Sequence, residues 1–183
     1  TVMYSAHDSV GDVTGDAMGN AANKGCLGGG GIDGEINFRG GLALEQAREA
    51  LPMLDNFGTR CDTGDAKITI AGDLPCKNVI HAVGPRFHFG DIDHSQNLNL
   101  LEDAYKNSLE RAREANLKTI GFCLLSAGIF RGNCPLSVIV QTAIDAIARH
   151  AYNGLDAIVL CRFPFGARQE LMSRVSSIQQ ETA

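Results

Sequence analysis

The sequence has too few basic residues to be held on nucleic acid by its charge. Its 183 residues include 16 lysines and arginines against 21 aspartates and glutamates, so the formal net charge is −5. A protein that binds duplex DNA through many phosphate contacts normally carries a net positive surface. We therefore expect no duplex DNA partner.

The chain also lacks the segments that would place it in a membrane. No run reaches the roughly 18 consecutive apolar residues of a membrane-spanning helix, because Gln141, Thr142 and Asp145 interrupt the best candidate. The first residues do not show the basic and then apolar pattern of a signal peptide. These observations predict a soluble, cytoplasmic protein without a membrane partner.

The spacing of cysteine and histidine gives no metal site. The six cysteines are scattered without a C-x-x-C pair, and the five histidines form no close ligand pair. Spacing rules therefore disfavour a structural zinc site, and we expect reduced thiols, no metal and no cofactor. A nucleophilic mechanism through Cys26 and a histidine stays open, because a sequence does not show which side chains meet in space.

Length, composition and periodicity favour one α/β domain over residues 1–183. Apolar residues make up 44% and charged residues 20%, as in ordinary globular domains. Strand-like and helix-like runs alternate, which is typical of layered α/β proteins. Strands are predicted over 16–21, 66–72, 78–83, 119–125 and 156–161. Helices are predicted over 42–50, 96–115 with Ser95 as N-cap, 136–150 and 167–179.

Glycine, in contrast, is abundant and concentrated in one segment. It accounts for 21 residues, and eight of them lie between Gly25 and Gly41. This segment stands between a predicted strand and a helix that is predicted to open near Asp33. Backbone N–H groups in such a loop, together with a helix N-terminus, bind phosphate oxygens without a cationic side chain. The alternative is that these glycines only form a tight or flexible turn.

The same glycines also match a dinucleotide-binding pattern. Gly29, Gly31 and Gly34 fit G-x-G-x-x-G, which requires an acidic residue about 20 positions on, at the end of a second strand. Asp55 has the spacing, but the residues before it are predicted helix. A nicotinamide-dependent oxidoreductase rests on this pattern alone. A P-loop is excluded because the chain has no Gly-Lys-Ser/Thr.

A second loop of small residues, 126–132, follows the predicted strand 119–125. In open α/β sheets ligands bind at the carboxyl ends of the strands. The two loops therefore predict a cleft that grips a diphosphate from both sides. The alternative is a plain connection from a strand to a helix.

Several segments together resemble the macro domain family, in particular its MacroD-type bacterial O-acetyl-ADP-ribose deacetylases. They are GDVT (11–14), NAAN (20–23), LGGGGIDG (27–34), TGDAKIT (63–69), AGDLP (71–75), VIHAVGP (79–85) and LEDAYKNSL (101–109). LLSAGIF (124–130) is similar instead to the second loop of coronavirus macrodomains. The resemblance covers nearly the whole chain. It implies a three-layer α/β/α fold with a mixed central sheet of about six strands.

The resemblance also implies a function. It predicts a hydrolase that deacylates O-acetyl-ADP-ribose, removes mono-ADP-ribose from acidic side chains, or does both. Its partners would be ADP-ribose, O-acetyl-ADP-ribose or mono-ADP-ribosylated proteins, and we expect a monomer. A non-catalytic ADP-ribose reader is the alternative. It is motivated by Phe130, where the deacetylase branch usually has tyrosine, and by Asn37, where it commonly has histidine.

Carried over position by position, the resemblance implies a set of ligand-binding residues. Asp12 would accept a hydrogen bond from the adenine amino group, with Val13 and Phe163 beside the base. Asn23 would hydrogen-bond the distal ribose. The other residues would line that sugar and the phosphates: Gly31, Ile32, Asp33, Ser126, Ala127, Gly128, Ile129 and Phe130.

For catalysis the resemblance points to Asp33, with Asn23 beside it. The Asp33 carboxylate would orient or deprotonate the water that attacks the acyl ester or the anomeric carbon. A helix N-terminus favours the ionised form of a carboxylate and makes it a weaker base. Positioning of the water is therefore the favoured role, and a substrate phosphate would share the proton.

Overall fold

A computed structural model describes residues 2–4 and 10–161 of the chain, and in this part six strands form one sheet. The strands are β1 (Val2–Tyr4), β2 (Gly15–Ala21), β3 (Ala66–Ile70), β4 (Cys76–Ala82), β5 (Thr119–Cys123) and β6 (Ala157–Cys161). The α-helices are α1 (Ile32–Glu49), α2 (Ser95–Glu114) and α3 (Leu136–His150), and short 3₁₀ turns cover Val10–Asp12 and Ile129–Arg131. The predicted helix 167–179 and Phe163 lie outside the described residues.

The sheet is mixed, with the order β1-β6-β5-β2-β4-β3. Every neighbouring pair is parallel except β3 and β4, which are antiparallel at one edge. A parallel sheet is covered on both faces, so its central strands read as continuous apolar runs. This explains why the sequence pattern predicts β5 and β6. The strand order confirms the predicted mixed sheet of about six strands.

Helices cover both faces of the sheet. Successive residues of a strand point to opposite faces, so Gly19 and Asn20 of β2 mark the two sides. Phe122, the β5 partner of Gly19, packs edge-to-face on Tyr105 of α2 with ring centroids 5.7 Å apart. Asn20 instead hydrogen-bonds Asp33 of α1. Because α3 packs on α2, the structure has three layers, as predicted.

Gly19, an unusual residue inside a strand, makes room for an aromatic ring. A Cβ at this position would lie 2.2 Å from Cδ1 of Phe122. A larger side chain would therefore displace the ring from the helix that it packs against. Glycine weakens the intrinsic strand preference of β2, but ring packing and pairing on both sides fix the strand one residue longer than predicted.

The helix α1 contains a sharp break. Gly41 has φ 63° and ψ −165°, which are not helical values. The break separates a first half after the glycine loop from a second half that ends at Glu49. The sequence predicts these two halves as a helix opening near Asp33 and another over 42–50, and both are confirmed.

The start of α2 differs from the prediction by one residue. Ser95 is the first helical residue and not the N-cap. The Asp93 carboxylate accepts hydrogen bonds from the Ser95 N–H at 2.8 Å and from its hydroxyl at 3.0 Å. Aspartate therefore satisfies the free donor at this helix end.

Two further expectations concern the core and the membrane. All six cysteines are free thiols, as expected, and all six are buried. Within residues 2–4 and 10–161, no helix is long and apolar enough to span a membrane.

Candidate functional site

The two predicted ligand loops leave the same edge of the sheet. Strands β2 and β5 are parallel neighbours, so the chain segments that follow Ala21 and Cys123 both begin at their carboxyl ends. We call residues 22–31 the glycine loop and residues 124–132 the second loop. Their common edge is where ligands bind in open α/β sheets.

Asn23 holds the glycine loop in shape. Its Nδ2 donates to the Gly28 carbonyl at 2.8 Å, and its Oδ1 accepts from the Gly25 N–H at 3.0 Å. These bonds span the first half of the loop and use both ends of the amide. The side chain predicted to meet the ribose thus also has a structural role, and residues 10–161 provide no acceptor for the second N–H of its Nδ2.

Asp33 lies in the first turn of α1 and is only 3% exposed. Its Oδ1 accepts two hydrogen bonds of 2.7 Å, one from Nη2 of Arg48 and one from Nδ2 of Asn20. Its Oδ2 is also buried, yet no group in the described part of the chain donates to it. A buried acceptor without a donor is costly unless a ligand or water satisfies it.

The two predicted catalytic side chains meet at Gly29. A Cβ on this residue would lie 3.0 Å from Nδ2 of Asn23 and 3.0 Å from Oδ2 of Asp33. In contrast, Cβ atoms added at Gly30 or Gly31 would have no neighbour within 4 Å. Gly31 has φ 62° and immediately precedes α1. The loop therefore packs on Asn23 and Asp33 through Gly29 and leaves its next residues open. Ile32 is half-buried beside them.

A buried polar chain continues below Asp33. Asn20 Nδ2 lies 3.2 Å from Nδ1 of His81, and Nε2 of His81 lies 2.9 Å from the Thr69 hydroxyl. Burial, helped by the charge of Arg48, lowers the pKa of His81 to about 3. His81 is therefore neutral near pH 7, and its partners assign the proton to Nε2, which donates to Thr69.

Arg48 contacts Asp33 in the candidate site, and the sequence pattern did not predict it there. Its side chain is fully buried, although arginine on a helix is normally exposed. The available signal was its spacing of four from Leu44, which places both residues on the buried stripe of the second half of α1.

At the predicted adenine end, Asp12 is about half exposed and forms an ion pair with Arg39. Nη2 of Arg39 lies 2.8 Å from Oδ1 of Asp12, and this bond raises the pKa of the arginine further. Val13 is buried against Gly121, where a Cβ would lie 2.5 Å from Cγ2 of the valine. Phe163, the third predicted residue here, lies outside the described residues.

The second loop has a buried base and an exposed tip. Ser126 has φ 56°, and its hydroxyl donates to the Pro85 carbonyl at 2.7 Å. Ala127 is buried beside it, whereas Gly128 and Ile129 are exposed. Phe130 is half-buried, with the guanidinium carbon of Arg86 5.2 Å from its ring centroid.

Two alternatives lose their structural basis. Asp55, the acidic residue of the dinucleotide pattern, accepts hydrogen bonds from the N–H groups of Phe57 and Thr59 in a loop and does not end a strand. The Cys26 thiol bonds to the Asn23 carbonyl and contacts Cys61. Within residues 10–161 no histidine hydrogen-bonds to it.

The protein has a three-layer α/β/α fold with a mixed sheet. A glycine loop and the buried carboxylate of Asp33 lie at the carboxyl edge of that sheet, as in α/β domains that bind ligands there. The model of the macro domain family matches residues 19–166. The chain therefore belongs to the macro domain family.

Named relatives and solved structures agree with this assignment. An O-acetyl-ADP-ribose deacetylase of Citrobacter koseri is 40% identical over 151 residues, covering 81% of this chain and 82% of that protein. The Oceanobacillus iheyensis macrodomain with MES bound is 26% identical with a TM-score of 0.82, covering 96% of this chain and 90% of that one. A Trypanosoma brucei macrodomain in complex with ADP-ribose is 28% identical with a TM-score of 0.74, covering 95% of this chain and 68% of that one.

Proposed function

We propose that this protein binds ADP-ribose and hydrolyses O-acetyl-ADP-ribose, mono-ADP-ribose esters of acidic side chains, or both. The observation that carries the proposal is the Asp33 carboxylate, which is buried at the end of the glycine loop with Oδ2 free of protein donors in the described part of the chain. Asn23 lies next to it across Gly29. The deacetylase names of relatives near 40% identity support the reaction class.

The glycine loop supports the binding of a diphosphate. Gly30 and Gly31 have open space where side chains would stand, and the loop leads directly into α1. Backbone N–H groups and the helix N-terminus supply positive potential there. A ligand with two phosphate charges can therefore bind a protein with net charge −5 without a cluster of basic side chains.

In the proposed reaction Asp33 positions a water molecule through Oδ2. The water attacks the acetyl carbonyl carbon, the ester C–O bond breaks, and acetate and ADP-ribose leave. On an ADP-ribosylated acidic side chain the same water attacks the anomeric carbon and releases the free carboxylate. The proton of the water passes to Asp33 or to a phosphate oxygen of the substrate, and in ester hydrolysis it is then delivered to the leaving ribose oxygen.

The test is acetate release from O-acetyl-ADP-ribose by the wild-type protein and by Asp33→Asn. The amide keeps the shape of the side chain but removes its charge, so we expect kcat to fall by about 10²–10⁴-fold. Asp145→Asn, an exposed change on α3, is the matched control and should retain the wild-type rate. A wild-type rate equal to buffer, or a rate unaffected by Asp33→Asn, would contradict the proposal.

A non-catalytic reader is the second candidate, and Asn37 favours it. The amide of Asn37, whose Oδ1 accepts from Arg48 at 3.3 Å, cannot act as an acid or a base near neutral pH. A reader would bind ADP-ribose in calorimetry with a micromolar Kd and show no turnover. Absence of binding would reject both candidates.

A further inference from the structure

Arg48 contacts three separate parts of the candidate site. Its Nη2 donates to Oδ1 of Asp33 at 2.7 Å, its Nη1 donates to Oδ1 of Asn37 at 3.3 Å, and its Nε donates to the Cys26 carbonyl. These acceptors belong to the first turn of α1, its second turn and the glycine loop. We propose that Arg48 is a positioning residue, which holds the Asp33 carboxylate and the glycine loop in the reactive arrangement. This inference rests on the proposed function.

The break at Gly41 makes these contacts possible. In a straight helix, residues 33 and 48 would be about 22 Å apart along the axis, which is much farther than an arginine side chain reaches. The non-helical backbone at Gly41, with φ 63° and ψ −165°, turns the second half of α1 back toward the first. Most side chains cannot adopt this backbone conformation without strain. Gly41 thus brings Arg48 to Asp33.

The ion pair fixes one carboxylate oxygen and leaves the other for the water molecule of the proposed reaction. Oδ1 is occupied by Arg48 and Asn20. These two donors orient the carboxylate plane so that Oδ2 points toward Gly29 and Asn23. Both charged side chains are almost fully buried, at 0% and 4% exposure. Removing the guanidinium would therefore leave an uncompensated buried carboxylate, which would leave its present position.

The contact with the Cys26 carbonyl adds a second function to the same side chain. Cys26 is a non-glycine residue with φ 55°, a conformation that needs support from its surroundings. Its carbonyl lies at the beginning of the glycine run and accepts from Nε of Arg48. One arginine therefore couples the position of the loop to the position of Asp33.

The kinetic test is a double-mutant cycle of Arg48→Met and Asp33→Asn. We expect Arg48→Met to lower kcat for acetate release at least tenfold and to raise the Kd for ADP-ribose by a smaller factor, because Asn23 still holds the glycine loop. In the Asp33→Asn background the same change should alter the residual rate less than twofold. Arg48→Lys keeps the charge but not three directed donors, and we expect it to rescue part of kcat. Arg113→Met, an exposed arginine of α2, controls for loss of an arginine elsewhere.

A crystal structure of Arg48→Lys, together with Arg48→Met if that variant folds, reads the position of Asp33 without any need for turnover. We expect the carboxylate to rotate away from Gly29 in Arg48→Met, and either the carboxylate or the Cys26 carbonyl to shift in Arg48→Lys, because one ammonium group does not meet both acceptors. An unchanged Asp33 and glycine loop in the variant, or an equal loss of kcat in both backgrounds of the cycle, would overturn the inference. Wild-type protein without acetate release would overturn the proposed function alone, and the structure of the variant would still decide the role of Arg48.

Discussion

At the scale of single residues, the candidate site depends on an acceptor oxygen to which no described residue donates a hydrogen bond, and on a glycine, which has no side chain. Oδ2 of Asp33 is buried without a donor in the described part of the chain, and Gly29 has no side chain where Asn23 and Asp33 converge. Ordinary packing would fill such a place or satisfy the oxygen. The combination of a free buried acceptor and a missing side chain is typical of a ligand-binding site.

Gly34 provides a prediction at this scale. Alanine is normally better than glycine inside a helix by up to about 1 kcal/mol. A Cβ at Gly34, however, would lie 2.5 Å from the Gly29 carbonyl oxygen, so the glycine loop would have to move. We expect Gly34→Ala to lower the free energy of unfolding by about 1 kcal/mol or more and to reduce ADP-ribose binding.

Urea unfolding measures this change, and Gly30→Ala is its control. A Cβ at Gly30 has nothing within 4 Å, so its free energy of unfolding should stay within about 0.5 kcal/mol of wild type. An increase in stability in Gly34→Ala would mean that the loop yields without cost, contrary to the packing argument.

At the scale of elements, a buried polar chain joins three strands to α1. Thr69 of β3, His81 of β4 and Asn20 of β2 lead in sequence to Asp33. The link between Asn20 and Nδ1 of His81 depends on the neutral form of His81, which burial maintains by lowering its pKa to about 3. The floor of the candidate site is therefore part of the sheet and shares its stability.

The buried His81 of this hydrogen-bonded series predicts how the free energy of unfolding depends on pH. Folded His81 stays neutral down to about pH 3, whereas the unfolded histidine takes up a proton near pH 6.5. The unfolded chain thus binds more protons between these values, so His81 lowers the free energy of unfolding as the pH falls below 6.5. The slope approaches about 1.4 kcal/mol per pH unit, and the loss at pH 5 is about 2 kcal/mol.

Urea unfolding of wild type and His81→Gln between pH 7 and pH 5 tests this expectation. The variant should lose this part of the pH dependence, while His88→Gln, an exposed histidine, should keep the wild-type slope. Identical slopes in wild type and His81→Gln would show that His81 is protonated in the folded protein.

At the scale of the whole molecule, the net charge of −5 opposes the approach of an anionic ligand, while local backbone donors bind it. Salt screens the repulsion over a Debye length of about 8–10 Å at ordinary ionic strength. It has little effect on hydrogen bonds made at short range. The affinity for ADP-ribose should therefore not fall with salt as it does in proteins that neutralise phosphates with many basic side chains.

Calorimetry with ADP-ribose checks this expectation. It compares the Kd at about 25 mM and about 250 mM NaCl, a roughly tenfold difference in ionic strength. We expect the Kd to change less than about threefold, or to improve slightly at the higher salt. A tenfold or greater loss of affinity at the higher salt would indicate that cationic side chains carry the phosphate contacts.

The single domain over residues 1–183 and the monomeric state remain predictions. Limited proteolysis would test the first and sedimentation the second.

Most of the architecture was predictable because it depends on local pattern. Apolar runs predict the central strands, and spacings of three and four predict α2 and α3. The start of α2 was missed by one residue because Asp93 and Ser95 are both good capping residues, and only the backbone shows which one accepts the hydrogen bonds. Gly19 is unfavourable in the strand pattern of β2. The reason for a glycine there is the Phe122 ring, which belongs to β5, about 100 residues later, and no local pattern shows it.

The class of fold, the glycine loop and the resemblance that points to Asp33 and Asn23 can all be read from the amino-acid sequence. These follow from residue type and short-range spacing, which act along the chain. Only the tertiary structure decided that Arg48 pairs with Asp33, that Asp12 pairs with Arg39, and that Oδ2 of Asp33 is left free of protein donors in the described part of the chain. Such pairings join residues 15 and 27 positions apart, and they form where a helix break and close packing bring side chains together, which no local pattern encodes.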